Sequence, residues 1–239
     1  MRRSNIQLVV FDIAGTTVKE NGTIAEAFKY ALHQFGYTIP FNEITSVMGY
    51  KKSVAIGLLL EKFYPAELKN NPDHIEGIHA VFIDIMVSFY ENDTALQPMH
   101  NAEYVFSQLQ SHNIKVALNT GFSKKITDTI LKRFGWNRTN LIDFVISSDE
   151  VKNGRPSPEM IQTIMQATGI TDPAFVAKVG DTEVDILEGR NAGCGLVVGI
   201  STGAYTRNQL IGFTPDAVID DISELPLILN SAVLAKHIA

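Results

Sequence analysis

The feature that most constrains the fold of this chain is a set of six short apolar runs, which suit buried strands and recur along its length. Most of these runs are separated by segments with the apolar spacing of helices. Unbroken apolar runs are typical of parallel strands covered on both faces, so the alternation predicts an α/β fold, a parallel sheet flanked by helices. The runs occupy residues 7–11, 115–119, 144–147, 175–179, 195–200 and 217–219.

One long stretch, residues 19–98, interrupts the alternation of strands and helices. It contains several helix-period segments and no convincing strand, and it is too long for a single crossover connection. The candidate helices are 23–35, 53–64 and 73–90.

This interruption predicts two domains. Residues 1–18 and 99–239 would form the core domain, and residues 19–98 would form an inserted helical cap domain. The hinges between them would lie near 18–22 and 97–99.

The composition favours a small-molecule ligand. The formal charge of −6 comes from mixed acids and bases with no block of Lys or Arg, so we expect no binding to nucleic acid or to an anionic membrane surface. No apolar span approaches the roughly 18 residues of a membrane helix. Cys194 is the single cysteine, which excludes an intrachain disulfide and favours a cytoplasmic location, with Cys194 as a small buried residue.

Polar residues that follow the apolar runs are the candidate functional residues, because parallel sheets bind ligands beyond the carboxyl ends of their strands. Asp12 and Thr120 follow the first two runs, and Arg155 lies beyond the third. Asp181 and Asp185 follow the fourth. Each alone has an ordinary explanation as a turn, a strand-end hydrogen bond, a surface contact or a helix cap.

Together these residues supply the parts of a phosphoryl-transfer site. The carboxylates of Asp12, Asp181 and Asp185 form a hard oxygen site suited to Mg²⁺. The metal and Arg155 would offset the repulsion between an anionic nucleophile and an anionic phosphorus group. Thr120 and backbone N–H groups after Asp12 would hold the remaining phosphoryl oxygens.

Four segments, in this order, resemble the signature motifs of the haloacid dehalogenase superfamily, which implies a Rossmann-like core. The resemblance implies Asp12 as nucleophile, and the Ala14 carbonyl with Asp181 as metal contacts supported by Asp185. It implies Thr120 and Arg155 as catalytic residues that contact phosphate, with Thr16 and Gly121 as further substrate contacts. The segments are Asp12-Ile13-Ala14-Gly15-Thr16-Thr17, Thr120-Gly121, Arg155-Pro156-Ser157-Pro158 and Asp181-Thr182-Glu183-Val184-Asp185.

Two positions differ from the residues that are most common in the superfamily. Lysine is more common than arginine in the third motif, and Lys152 lies nearby, but the Arg-Pro-x-Pro context favours Arg155. Most phosphatases of the superfamily carry a second aspartate two residues after the nucleophile, where this chain has Ala14. The loss of that acid handicaps ordinary ester hydrolysis, since general acid–base catalysis contributes about 10²- to 10⁴-fold.

The Asp-x-Ala-Gly-Thr-Thr variant resembles the phosphonatase branch of the superfamily. Members of that branch cleave a carbon–phosphorus bond after a cap lysine forms a Schiff base with phosphonoacetaldehyde. They also carry Met-Gly-x-x-Lys, which matches Met48 and Lys52 here and implies that Met48 contacts the substrate.

The spacing of apolar residues also predicts that Lys52 faces inward. Ile56, Leu59 and Phe63 follow it by four, seven and eleven residues, on one stripe of a helix. A desolvated lysine has a lowered pKa and attacks carbonyls more readily. We expect Lys51 to face solvent. The alternative is that Lys52 lies at a domain interface or binds an anionic substrate by its charge alone.

Two further positions depart from the phosphonatase pattern. Ala55 replaces a histidine that usually follows the lysine by three residues, and Phe122 replaces a frequent tyrosine. A phosphatase acting on a small phosphorylated metabolite is therefore the first alternative. A phosphomutase is weaker because of Ala14, and a catalytically silent binding protein is a third. Relatives of phosphonatase suggest a homodimer.

Overall fold

The protein is described here by a computed structural model that covers residues 6–70 and 72–234. The ends of the expected core domain, residues 1–5 and 235–239, lie outside the described residues. The sheet has six parallel strands in the order β3-β2-β1-β4-β5-β6. They are β1 (Leu8–Phe11), β2 (Lys115–Thr120), β3 (Phe144–Ser147), β4 (Val176–Gly180), β5 (Leu196–Ile200) and β6 (Ala217–Ile219).

The described residues also contain eleven α-helices. None of them is long and apolar enough to cross a membrane. They are α1 (Thr23–Gln34), α2 (Phe41–Ser46), α3 (Lys52–Phe63), α4 (Pro65–Asn70), α5 (Pro72–Asn92), α6 (Ala102–Ser111), α7 (Lys124–Phe134), α8 (Glu159–Thr168), α9 (Glu183–Asn191), α10 (Arg207–Gly212) and α11 (Leu225–Leu234).

Helices cover both faces of the sheet, which confirms the expected α/β architecture. Successive residues of a strand point to opposite faces, so Val9 and Phe11 join one apolar cluster and Val10 joins another. The first cluster includes Phe106 of α6, and the second includes Ile164 of α8. The two-sided cover explains why the strands read as unbroken apolar runs.

The stretch between β1 and α6 is helical, as expected, but it holds more helices than the sequence analysis predicted. Helices α2 and α4 were not among the predicted helices, and each has a proline at its start. Pro40 precedes α2 as its N-cap, and Pro65 is the first residue of α4. Proline suits the first turn of a helix, where its missing N–H has no intrahelical partner.

The two connections between this helical insertion (residues 19–98) and the sheet run side by side. The Lys19 N–H donates to the Gln97 carbonyl (3.2 Å), and the Met99 N–H donates to the Thr17 carbonyl (2.8 Å). Val18 forms an antiparallel bridge with Pro98. The division into two domains with hinges at these positions stays a prediction.

Aromatic side chains pack the insertion onto the loop that follows β2. The ring of Phe122 lies 6.3 Å from that of Phe82 and 6.0 Å from that of Tyr90, and Phe28 makes an edge contact with Phe82. All four rings are almost completely buried. The apolar core of the insertion is therefore continuous with the edge of the sheet where the strands end.

Gly49 allows a second close contact between the insertion and the core. Its φ of +85° lies in the left-handed region, and a Cβ atom there would collide with Thr182 and lie 2.5 Å from Val184. Gly36 has a similar φ of +82° but has open space around it. The two positions thus differ in packing and not in backbone conformation.

We predict that Gly49→Ala destabilises the protein more than Gly36→Ala. Both variants carry the left-handed strain of about 1–2 kcal/mol, and only Gly49→Ala adds a steric clash. Urea unfolding of both variants measures the difference. Equal losses of unfolding free energy would show that the insertion does not pack closely against the loop after β4.

Candidate active site

The predicted site residues meet where β1, β2 and β4 end. Phe11 of β1 pairs in register with Leu118 of β2 and Val179 of β4, so the residues that follow these strands lie at one edge. Asp12 directly follows β1, and Asp181 directly follows β4. Both side chains are buried, with 5% and 3% of their surface exposed.

Three carboxylates converge there in a pattern suited to a cation. Asp12, Asp181 and Asp185 can each offer an oxygen such that all three atoms lie within 4.8 Å of one another. The Asp181 carboxylate accepts hydrogen bonds from the Thr16 hydroxyl (3.4 Å) and the Ala204 N–H (2.6 Å). The donor set consists of hard oxygens, which Mg²⁺ prefers.

The charges of these carboxylates are not balanced. Burial raises the pKa of Asp12, although Arg155 opposes the shift, and burial with the nearby charges of Asp12 and Asp185 raises the pKa of Asp181 well above its ordinary value. Among the described residues, no cation forms an ion pair with Asp181. A divalent cation bound here would stabilise both ionised carboxylates, so the residues present fit such a metal.

Arg155 is fully buried and is surrounded by polar protein groups. Its Nη1 donates to Asp12 Oδ1 (2.6 Å) and lies 2.9 Å from Asp185 Oδ1. Its Nη2 donates to the Asn119 carbonyl (2.6 Å). Its Nε lies 3.1 Å from Glu188 Oε2. Burial alone would lower the pKa of Arg155, but the surrounding carboxylates outweigh burial and raise it. The guanidinium therefore holds the Asp12 carboxylate, and its contact with phosphate stays a prediction.

Sequence reasoning missed the residues behind Arg155. Lys178 is fully buried in β4, with its Nζ 2.7 Å from Asn119 Oδ1, 2.9 Å from Asp185 Oδ1 and 3.4 Å from Glu188 Oε2. The Asn119 amide donates to both Glu188 oxygens (2.9 Å each). The available signal was a lysine inside an otherwise apolar run, since a buried lysine requires a partner.

Most predicted site residues line one cavity of about 250 Å³ between the strand ends and the helical insertion. Three do not line it: the Thr16 hydroxyl faces Asp181, while Arg155 and Asp185 lie behind Asp12. The predicted residues that line it are Asp12, Ala14, Met48, Lys52, Thr120, Gly121 and Asp181.

Thr120 is placed to donate a hydrogen bond into this cavity. Only 3% of its surface is exposed, and its Oγ1 accepts from the Phe122 N–H (3.1 Å). No acceptor for its hydroxyl proton is found among the described residues. The hydroxyl is therefore available to a ligand oxygen.

Lys52 faces the cavity from the first residue of α3 and is 3% exposed. Its Nζ lies 3.4 Å from the Tyr50 carbonyl and 5.6 Å from the centre of the Phe122 ring. No carboxylate of the described residues forms an ion pair with it. Burial lowers the pKa of Lys52 from 10.5 to about 8, an effect that the charge of Asp12 only partly offsets.

The neighbouring lysine differs from expectation. We expected Lys51 to face solvent, but it is half-buried, and its Nζ donates to the Val151 carbonyl (3.4 Å). Its side chain also packs against Gly154. The loop before Arg155 covers Lys51, a long-range contact that helical spacing cannot indicate. Lys152, the alternative to Arg155, is exposed.

The chain is similar to known proteins over most of its length. The family model described as haloacid dehalogenase-like hydrolase matches residues 9–198. The chain is 30% identical over 227 residues to a phosphonoacetaldehyde hydrolase of Latilactobacillus sakei, covering 91% of this chain and 82% of the relative. It is 29% identical over 223 residues to a phosphonoacetaldehyde hydrolase of Bacillus cereus, covering 88% and 83%.

A solved structure has the same fold. It is a crystal structure of a phosphonoacetaldehyde hydrolase-like protein from Oleispira antarctica, with a TM-score of 0.82 and 22% sequence identity. The match covers 96% of this chain and 93% of that one.

We predict that Mg²⁺ stabilises the protein and that Asp181→Asn removes this effect. At about 100 times its dissociation constant the metal should add roughly 2.7 kcal/mol, visible as a higher Tm. With a chelator present, Asp181→Asn should be more stable than the wild type, because it removes an unpaired buried charge. Glu183→Gln, on the same helix N-terminus, is the control and should keep the Mg²⁺ response. An undiminished response in Asp181→Asn would contradict the assignment.

We also predict that Lys52→Met stabilises the protein at neutral pH. Because the pKa of Lys52 is about 8 in the folded state and 10.5 ordinarily, the charged lysine destabilises folding fully below pH 8. That penalty shrinks as the pH rises above 8 and is nearly gone at pH 10.5, where the folded state is neutral and the unfolded state is half neutral. A gain of about 2–3 kcal/mol is expected at pH 7, measured by urea unfolding.

The control for Lys52→Met is Lys51→Met, which should change the unfolding free energy by less than about 1 kcal/mol. A stabilisation by Lys52→Met that persists unchanged at pH 10.5 would show that packing, and not the buried charge, is its cause.

Proposed function

The chain belongs to the haloacid dehalogenase-like hydrolases, and within that family we propose that it is a phosphonatase, which cleaves the carbon–phosphorus bond of a small phosphonate aldehyde or ketone. The observation that carries the proposal is Lys52, a buried lysine that lines the same cavity as Asp12 and pairs with no carboxylate of residues 6–70 and 72–234. A phosphatase needs a proton donor for the leaving alkoxide, and Ala14 provides none.

Catalysis would begin at Lys52. Its neutral amine adds to the carbonyl carbon of the substrate, and water leaves as the imine forms. A pKa of about 8 leaves a substantial neutral fraction at physiological pH. Burial of the amine removes the water that would stabilise its charged form and so favours the neutral form.

Asp12 would then attack phosphorus. As the new O–P bond forms, the P–C bond breaks, and its electron pair becomes the double bond of an enamine on Lys52. An enamine leaves without protonation of an oxygen, so the acid replaced by Ala14 is not needed. Protonation of the enamine at carbon and hydrolysis of the imine release the carbonyl product, and water splits phospho-Asp12 into phosphate and Asp12.

The surrounding residues would position the nucleophile and hold the phosphonate. Arg155 fixes the Asp12 carboxylate through its 2.6 Å hydrogen bond, and the Thr120 hydroxyl donates to a phosphonate oxygen. Asp12, Asp181 and the Ala14 carbonyl, with Asp185 in support, would hold Mg²⁺, which supplies positive charge to the phosphonate when bound.

A phosphatase acting on a small phosphorylated metabolite is the second candidate, favoured by two departures from the phosphonatase pattern. Ala55 is buried in α3 and Phe122 lines the cavity, so neither supplies the polar group seen in that branch. In this case Lys52 would bind an anionic substrate by charge. A catalytically silent protein is disfavoured by membership in a hydrolase family.

We propose a cytoplasmic location, where Cys194 stays a buried thiol whose pKa burial raises to about 12. A homodimer stays a prediction.

We predict that borohydride with phosphonoacetaldehyde inactivates the enzyme by reducing an imine on Lys52. Mass spectrometry should place the added mass on the peptide that contains Lys52. Lys52→Arg keeps the positive charge but cannot form an imine, so it should lose the adduct and nearly all turnover. Lys51→Arg is the matched control and should retain both.

Two results would oppose the proposal. Undiminished turnover by Lys52→Arg would exclude an imine, and ready turnover of phosphate esters without any adduct would favour the phosphatase. Asp12→Asn should still form the adduct while losing phosphate release, which separates the lysine step from the phosphoryl step.

A further inference from the structure

We infer that the preferred substrate carries an apolar group on its carbonyl carbon, so that it is a ketone, a 2-oxoalkylphosphonate longer than the two-carbon phosphonoacetaldehyde. The inference rests on the proposed function and adds the substrate class. It comes from the unequal polarity of the two walls of the 250 Å³ cavity.

The wall formed by the core suits the phosphonate group. Asp12, Thr120 and Asp181 line it and carry the metal ligands and a free hydroxyl donor. The wall formed by the insertion is largely apolar. Its apolar lining residues are Ile24, Ala25, Phe41 and Met48.

The polar side chains of the insertion wall are already satisfied by the protein. Both Glu20 carboxylate oxygens accept backbone N–H groups at the start of α1, at 2.9 and 3.0 Å. The Thr45 hydroxyl donates to the Asn42 carbonyl (2.9 Å). This leaves Lys52 as the polar group on the wall that lacks a strong protein partner, at 3.4 Å from its nearest acceptor.

This wall selects against several kinds of substrate. Hydroxyl groups of a substrate placed against this wall would lose their hydrogen bonds to water without gaining hydrogen bonds to the protein, which costs free energy for each group. A second anionic group beyond Lys52 would meet Glu20 and apolar surface. A substrate whose carbonyl reacts with Lys52 and whose remaining part is apolar has neither problem.

Phe41 indicates where the apolar remainder lies. It lines the cavity from α2, 41% of its surface is exposed, and Lys29 Nζ lies 5.9 Å from the centre of its ring. A two-carbon aldehyde held between Asp12 and Lys52 has no atoms left to cover Phe41 or Ile24. An alkyl or aryl group on the carbonyl carbon would bury this surface and gain affinity from it.

The chemistry is unchanged for such a substrate. Lys52 forms a ketimine with loss of water, the P–C electron pair passes to the enamine, and the phosphoryl group passes to Asp12. Protonation at carbon and hydrolysis then release a methyl ketone and phosphate, so one water is consumed overall.

The test compares two ketones that differ only in their apolar group, 2-oxopropylphosphonate and 2-oxo-2-phenylethylphosphonate. We expect kcat/KM to be about 10-fold or more higher for the phenyl compound, the discrimination typical of an apolar pocket. Phe41→Ser should lower kcat/KM for the phenyl compound by roughly 10-fold and change the methyl compound less than about twofold. Tyr30→Ser, an exposed aromatic of the same insertion outside the cavity, should change neither.

A second measurement separates binding from turnover. In Asp12→Asn, borohydride trapping on Lys52 should saturate at a lower concentration of the phenyl ketone than of the methyl ketone. Equal processing of both ketones, or equal effects of Phe41→Ser on both, with the Lys52 adduct still formed, would overturn this inference alone. Absence of both the adduct and phosphonate turnover would overturn the proposed function as well.

Discussion

The structure depends on negative charge that is buried at the ends of two adjacent strands. β1 and β4 pair in parallel, so the residues that follow them, Asp12 and Asp181, are brought together in a place that water hardly reaches. With Asp185 and Glu188, four buried carboxylates face two paired cations, Arg155 and Lys178. The four negative charges exceed the two positive charges by two, an excess that a divalent cation would balance. Four of these groups, Asp12, Asp181, Asp185 and Arg155, are also residues proposed to take part in phosphoryl transfer.

The second half of the proposed chemistry lies on a different segment of the chain. Lys52 begins α3 of the insertion, and burial beside Phe122 makes its amine partly neutral. The contacts of Phe122 with Phe82 and Tyr90 keep the insertion against the core. The same aromatic side chain thus contributes to packing and to the apolar surroundings of the amine. Desolvation costs stability at Lys52 and would be retained because it makes the amine reactive.

Much of this arrangement could be predicted from the sequence, for physical reasons. All six strands were predicted because strands buried on both faces must be apolar, and their observed ends differ from expectation by about one residue. The inward orientation of Lys52 followed from the stripe that it shares with Ile56 and Leu59, both of which are buried. Local periodicity was sufficient in both cases, because each feature depends on residues that are near one another in the chain.

The features that sequence reasoning missed depend on contacts between distant residues. Asn119 and Glu188 are 69 positions apart, and their contact follows from the strand order, which apolar runs alone do not determine. The same limit applies to Arg155, whose guanidinium lies against Asp12, Asn119 and Glu188, and to Lys51, which the loop before Arg155 covers. The motifs indicated which residues carry the chemistry. The structure was needed to identify the groups that form hydrogen bonds and ion pairs with those residues.

The central claim is that Asp12 attacks phosphorus, and the direct measurement is the location of the phosphoryl group during turnover. Enzyme mixed with excess substrate and Mg²⁺ would be quenched in acid within milliseconds, treated with borohydride and digested for mass spectrometry. The account predicts that an acyl phosphate at Asp12 is reduced to homoserine at that position. Steady phosphate release with an unmodified Asp12 and a phosphoryl group on another side chain would contradict it.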